Sequence, residues 1–291
     1  MLLKYLINMD RKTKIIATVG PSLASKEKIH SAINSGVNVF RINFSHGTLD
    51  EHKKFIDWAR SSKKQVAIMQ DIQGPKIRTG QVNENTVLQK SQEINLTNKE
   101  VESSDEIIYI NYKNLYEDIN VNDRVFIDDG QMILKITEKQ KNKLKALILI
   151  GGELRDNQGV AFPDSKLSVA AITEQDIEHL KFGTKQGVDF VAVSFVRNSD
   201  DIQAVRDIIP KDIKIIAKIE LKTALENIDE ILDISDGVMV ARGDLGVQLP
   251  IEQVPFVQKQ ILDAANSKGK ISITATAVSY THLTLPTSHC V

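Results

Sequence analysis

The chain has 291 residues, 42% of them hydrophobic and 26% charged, with a formal net charge of −1. That length suffices for one large α/β domain or two smaller ones with a sizeable core, and the scattered charges leave no basic stripe for nucleic acid. The single cysteine, Cys290, excludes a disulfide framework and points to a reducing compartment, while no apolar run approaches the roughly 20 residues of a membrane span. A soluble, cytoplasmic, globular protein is expected. The first eight residues, MLLKYLIN, lack the length and cleavage site of a signal peptide, and a sequence that reads as complete begins at Met9.

In chain order, Thr13–Gly20 is a short apolar strand that breaks at Gly20-Pro21. Ser25 caps a helix with Ile29, Ala32 and Ile33 on one face and Gly36 at its end. Val37–Phe44 is a second strand running into Ser45-His46-Gly47, where His46 reads as a turn residue rather than a base. A helix follows over Asp50–Ser61, and a third strand, VAIMQD, enters Ile72-Gln73-Gly74-Pro75-Lys76-Ile77-Arg78. Strand–helix alternation with short connections is the pattern of right-handed parallel crossovers.

From Thr79 to Asp164 the pattern changes. SQEINLT and DRVFID alternate apolar and polar residues, Asp128-Asp129-Gly130 is a turn, and MILKIT and KALILI flank a polar bend over Glu138–Lys143. These are hairpin signals without an amphipathic helix, so a small all-β domain inserted after the third strand is expected.

Helical periodicity returns at Thr173, with a capping box to Asp176. Asp189–Val196 is a fourth strand, and Ser199 caps the helix after it. IKIIA then ends in Lys218, Ile219 and Glu220; a helix over Leu221–Leu232 closes at Gly237; GVMVA ends in Arg242, Gly243, Asp244, Leu245 and Gly246. A helix over Val254–Ser267 precedes a seventh strand, ISITAT, ending at Thr276. The expected fold is α/β: a (β/α)8 TIM barrel, incomplete with about seven strands, with an inserted small all-β barrel domain. Its parts are residues 9–78 and 166–276 for the barrel and 79–165 for the insert. Residues 277–291 show neither period and read as a foreign or out-of-frame junction.

Apolar strands that finish in charge place a site beyond the C-terminal ends of a parallel sheet. The strand ends collect Arg41, Asn43, Ser45, Asp71, Lys76, Arg78, Lys218, Glu220, Arg242, Asp244 and Thr276. Glu220 and Asp244 end neighbouring strands, so two hard oxygen ligands are placed to share one Mg²⁺. Lys218 lies two residues before Glu220, on the same face of its strand. A lysine beside a metal and two arginines makes a pocket for a polyanion, such as a phosphoryl group in transit. Gly243 allows close backbone approach, and a helix opening after it would offer free N–H groups to a carboxylate or phosphate.

TKIIATVGPSLAS, FRINFSHG, DIQGPKIRTG, FVAVSFVR, IIAKIE, VMVARGDLGVQLP and ITAT resemble, in order and spacing, the segments of the pyruvate kinase family, over about Met9 to Thr276. The resemblance implies a barrel with an inserted β-domain, a further C-terminal α/β domain not present here, and commonly a homotetramer. It implies phosphoryl transfer from phosphoenolpyruvate to ADP, giving pyruvate and ATP, with Mg²⁺ (or Mn²⁺) as cofactor. Matched residue by residue, Lys218 would neutralise the phosphoryl group, Glu220 and Asp244 would hold Mg²⁺, and Arg41 and Arg78 would bind phosphates. The backbone of Ala241, Arg242, Gly243 and Asp244 would hold the substrate carboxylate, and Thr276 would help deliver a proton through water. Asn43, Ser45, Asp71 and the Ile72 carbonyl match a monovalent-cation site. Lys76 stands where many members have Glu and require K⁺; its ammonium is expected to make K⁺ dispensable. Gln175 replaces the usual Lys of T-E-K-D, removing a positive charge from the nucleotide side. Two other readings compete: a non-catalytic or misfolded fragment of such an enzyme, and a Mg²⁺-dependent barrel lyase of the phosphoenolpyruvate/pyruvate type.

Overall fold

The structure, a computed structural model, describes residues 12–275. Thr276 and the stretch 277–291, like the first eight residues, lie outside the described residues, and so do the expectations placed on them.

Seven parallel strands form one curled sheet in the order β1 (Ile16–Thr18), β2 (Val39–Asn43), β3 (Ala67–Ile72), β12 (Phe190–Val193), β13 (Lys214–Ile219), β14 (Gly237–Val240) and β15 (Ile271–Thr274). Sequential order with every pair parallel is what right-handed crossovers around a barrel produce. The connecting helices are α1 (Lys26–Asn34), α2 (Leu49–Arg60), α4 (Glu174–Gln186), α5 (Ser199–Arg206), α6 (Lys222–Glu226), α7 (Ile228–Ile234), α8 (Arg242–Gln248) and α9 (Val254–Ser267). Their apolar stripes, including Ile29, Ile56, Leu180, Ile202, Ile231 and Ile261, pack on outward-facing strand residues such as Phe40, Ile68, Val191, Ile215 and Val238. Strands covered on both faces need no polar alternation, and β14 is buried along its whole length.

The insert between β3 and α4 has its own core around Leu96, Ile108, Leu134, Leu144 and Ile148. It holds β4 (Val87–Leu88), β5 (Glu93–Thr97), β6 (Ile107–Tyr109), α3 (Leu115–Asp118), β7 (Arg124–Ile127), β8 (Met132–Gln140), β9 (Lys143–Ile150), β10 (Gly152–Glu153) and β11 (Val160–Ala161). Six of these strands form one sheet, ordered β11-β7-β8-β9-β5-β6. Three details differ from the expected run of hairpins. β5 and β6 pair in parallel. The four residues of α3 bury Leu115 and Tyr116, a stretch too short to show a helical period. The polar stretch over Glu138–Lys143 is mostly strand: β8 runs to Gln140 through a register shift between Ile136 and Glu138.

Local capping explains the barrel's corrections. Ser25 accepts from the Lys28 N–H, as expected, and Thr173 and Asp176 form the capping box of α4. The cap of α5 is Asn198 rather than Ser199, because the Asn198 amide oxygen accepts the Asp201 N–H at 3.2 Å. The helix expected over Leu221–Leu232 is split at Asn227, whose side-chain amide turns to the Arg197 carbonyl at 2.9 Å.

Gly237 does not end that helix; it opens β14 against Ile271 of β15. A Cβ there would lie 2.5 Å from the Ile271 carbonyl oxygen and 2.6 Å from its Cβ. Gly237→Ala is therefore expected to destabilise by about 1–3 kcal/mol through overpacking. A thermal melt equal to that of the unchanged chain would contradict this contact.

Candidate active site

Alternate residues of a strand face the same side of a sheet. On the side away from the helices, Met69, Ala192, Ile216 and Met239, flanked by Ile16, Val39 and Ile273, pack as one apolar layer. Two residues further along the same strands, the same face carries Thr18, Arg41, Asp71, Ser194 and Lys218. A polar layer therefore sits directly above an apolar one, at the C-terminal ends of the strands.

These side chains form one connected network. Arg41 donates to Thr18 Oγ1 at 3.0 Å and grips Asp71 Oδ2 through Nε at 2.6 Å and Nη2 at 2.5 Å. Lys218 Nζ reaches Ser194 Oγ at 2.8 Å, Glu220 Oε1 at 2.9 Å and Asp71 Oδ1 at 3.2 Å. Ser194 in turn donates to the Ile72 carbonyl at 2.7 Å. Lys218 is 8% exposed, Asp71 and Glu220 1% each. Burial disfavours the Lys218 charge, but Glu220 and Asp71 together outweigh it and hold the ammonium above its ordinary range. Three partners thus hold the ammonium in place.

Glu220 faces opposing influences. Burial pushes its carboxyl up, Lys218 pulls it down, and the like charge of Asp244 adds to the upward push; the balance lies above the usual range. The Phe195 N–H donates to Glu220 Oε2 at 2.7 Å. Phe195 has φ of 55°, a conformation costly for a bulky side chain and a mark of a constrained site.

A cleft of about 630 Å³ opens between this sheet edge and the insert, and Lys76, Asp129, Arg197, Glu220, Lys222 and Asp244 are among its lining residues. Asp244 is exposed in the first turn of α8, near enough to Glu220 to affect its charge. Among the described residues no three His, Cys, Asp or Glu side chains gather as a metal group. Mg²⁺ does not need them, because it is commonly held by one or two carboxylates with waters and phosphate oxygens completing the shell. Two hard oxygens whose like charges repel suit such an ion, so the donor set fits.

A family model for the pyruvate kinase barrel domain matches residues 10–288. The chain belongs to the pyruvate kinase family. It is 42% identical over 276 residues to the pyruvate kinases of Staphylococcus aureus strain MRSA252 and Staphylococcus epidermidis strain ATCC 12228, covering 91% of this chain and 47% of each relative. The chain thus spans about half the length of the curated relatives it matches.

The remaining residues singled out in the sequence fall in several places. Asn43 accepts the Ser45 N–H at 3.1 Å, closing the turn after β2, and His46 is exposed in the bend that follows. Arg78 sits at the root of the insert, donating to the Asn157 carbonyl at 2.8 Å and taking the Asn111 side-chain oxygen on its own N–H at 2.6 Å. Arg242 donates to the Ala275 carbonyl at 2.7 Å. The Ala241 N–H is committed to the Ile219 carbonyl at 3.3 Å, which leaves Arg242, Gly243 and Asp244, the first turn of α8, as the N–H groups without intrahelical partners. Gln175 is exposed at the start of α4.

Three residues escaped the sequence reading. Ser194 and Phe195 sat inside what read as an apolar strand, and Asp129 looked like a hairpin turn. The two-residue spacing from Ala192 to Ser194, parallel to that from Ile216 to Lys218, is the signal that finds Ser194.

Proposed function

We propose that this chain carries the phosphoryl-transfer site of a pyruvate kinase, moving the phosphoryl group of phosphoenolpyruvate to ADP in the cytoplasm, the last step of glycolysis. In this reading residues 9–78 and 166–276 form the barrel and 79–165 the inserted domain. The observation that carries the proposal is Lys218, fixed among Asp71, Ser194 and Glu220, directly behind Glu220, which lines the cleft. The bond between phosphorus and the enol oxygen breaks, an oxygen of the ADP β-phosphate bonds to phosphorus, and the enolate of pyruvate gains a proton on carbon. Lys218 supplies fixed positive charge beside the point where negative charge spreads over the phosphoryl oxygens, which is where a preorganised cation contributes most. Arg41 and Arg78 bind phosphate oxygens, and the N–H groups of Arg242, Gly243 and Asp244 receive the substrate carboxylate. Glu220 and Asp244 would hold Mg²⁺, or Mn²⁺, which when bound supplies further positive charge to the phosphate oxygens.

Both Asp71 oxygens are already paired with cations, Arg41 on one and Lys218 on the other. With Lys76 adding a further ammonium at the cleft, a K⁺ ion at Asn43, Ser45, Asp71 and Ile72 has little left to neutralise. ATP formation from phosphoenolpyruvate, ADP and Mg²⁺ is therefore expected to change little on adding KCl. A coupled assay checks this on the chain alone and on the chain completed with the C-terminal half of the Staphylococcus aureus relative. A large gain with KCl would overturn the assignment of Lys76.

A further inference from the structure

The carboxylate of Asp176 serves two partners, one with each oxygen. Oδ2 accepts the Thr173 N–H at 2.9 Å and the Thr173 hydroxyl at 2.7 Å, closing the cap of α4. Oδ1 accepts the N–H of Gly74 at 3.3 Å, 102 residues earlier in the chain. Asp176 is only 1% exposed. A helix cap uses the first of these oxygens and has no need of the second.

Gly74 begins the loop that carries Lys76 and Arg78. Its φ is +68°, and a Cβ there would meet the Ser194 carbonyl oxygen at 3.2 Å and the Phe195 ring at 3.3 Å. The Lys76 N–H donates back to the Gly74 carbonyl at 2.9 Å, which tightens the turn. Four residues on, Arg78 is fixed to Asn111 and Asn157 of the insert. Lys76 therefore rides on a short span with both ends tied, and Asp176 ties one of them.

We propose that Asp176 is a positioning residue for the phosphate-binding loop: through Gly74 it fixes where Lys76 enters the cleft, joining the start of α4 to the substrate site. The role rests on the function proposed above for its ligand. An amide offers only one acceptor oxygen, so asparagine would serve the cap or the loop but not both. A misplacement of about 1 Å in such a support is enough to cost up to about 10²-fold in a positioned interaction.

The test compares Thr173→Ala, Asp176→Asn and Asp176→Ala in the full chain. Phosphoenolpyruvate affinity with Mg²⁺ is measured by calorimetry, thermal stability by melting, and Gly74 amide exchange by NMR. Thr173→Ala is expected to lower the melting temperature through loss of the cap, while Gly74 stays protected and affinity holds. Asp176→Ala should expose the Gly74 amide and weaken affinity by about 10–100-fold. Asp176→Asn, which keeps the side-chain volume and one acceptor, should weaken affinity with a smaller loss of melting temperature. Unchanged affinity in both Asp176 variants, or an equal fall in Thr173→Ala, would overturn the positioning role alone. No binding by the wild-type chain would overturn the proposed function and this role with it.

Discussion

Replacing Lys218 by Met is expected to lower phosphoryl transfer by about 10²–10³-fold, the scale of losing one preorganised charge-stabilising group. The same change should destabilise the fold by about 3–5 kcal/mol, because it leaves Asp71 and Glu220 buried without their shared cation. The two effects come apart in a second variant. Adding Glu220→Gln to Lys218→Met removes the charge left unpaired, since Asp71 keeps Arg41, so the melting temperature should partly recover while the rate does not. A Lys218→Met chain with a near wild-type rate would show that the cation only holds the sheet edge together.

Glu220→Gln alone should act on the metal. An amide oxygen is a neutral and weaker ligand for Mg²⁺ than a carboxylate, so half-maximal activity is expected to need about 10–100-fold more Mg²⁺. Stability should change less than in Lys218→Met, since Lys218 keeps Asp71 at 3.2 Å and the amide oxygen still accepts the Phe195 N–H. A Mg²⁺ titration decides the point. An unchanged midpoint would remove Glu220 from the metal site and leave it as a structural partner of Lys218 and Phe195.

The parallel sheet was legible because its strands are short apolar runs, several of them ending in charge, and the helices between them carry a 3.6-residue period. Lys218 and Glu220 could be placed on one face by spacing alone. What the sequence hid depends on partners distant in the chain. Gly237 looks like a helix stop until Ile271 is seen against it. Asn227 breaks a helix because the Arg197 carbonyl is within reach. Ser194 carries no charge, so nothing in an apolar strand marks it as the hydroxyl between Lys218 and the Ile72 carbonyl. Asp176 was legible as a cap, but its second oxygen was not, because Gly74 belongs to a different crossover unit.

The most direct measurement of the central claim follows phosphorus itself. ³¹P NMR of phosphoenolpyruvate and ADP with Mg²⁺ is recorded in the presence of the chain and of its Lys218→Met variant. The expected result is transfer of the enol-phosphate signal into the γ-phosphate of ATP with the wild-type chain, and its near loss with the variant. Release of inorganic phosphate instead, or equal transfer by both, would contradict a kinase site built around Lys218.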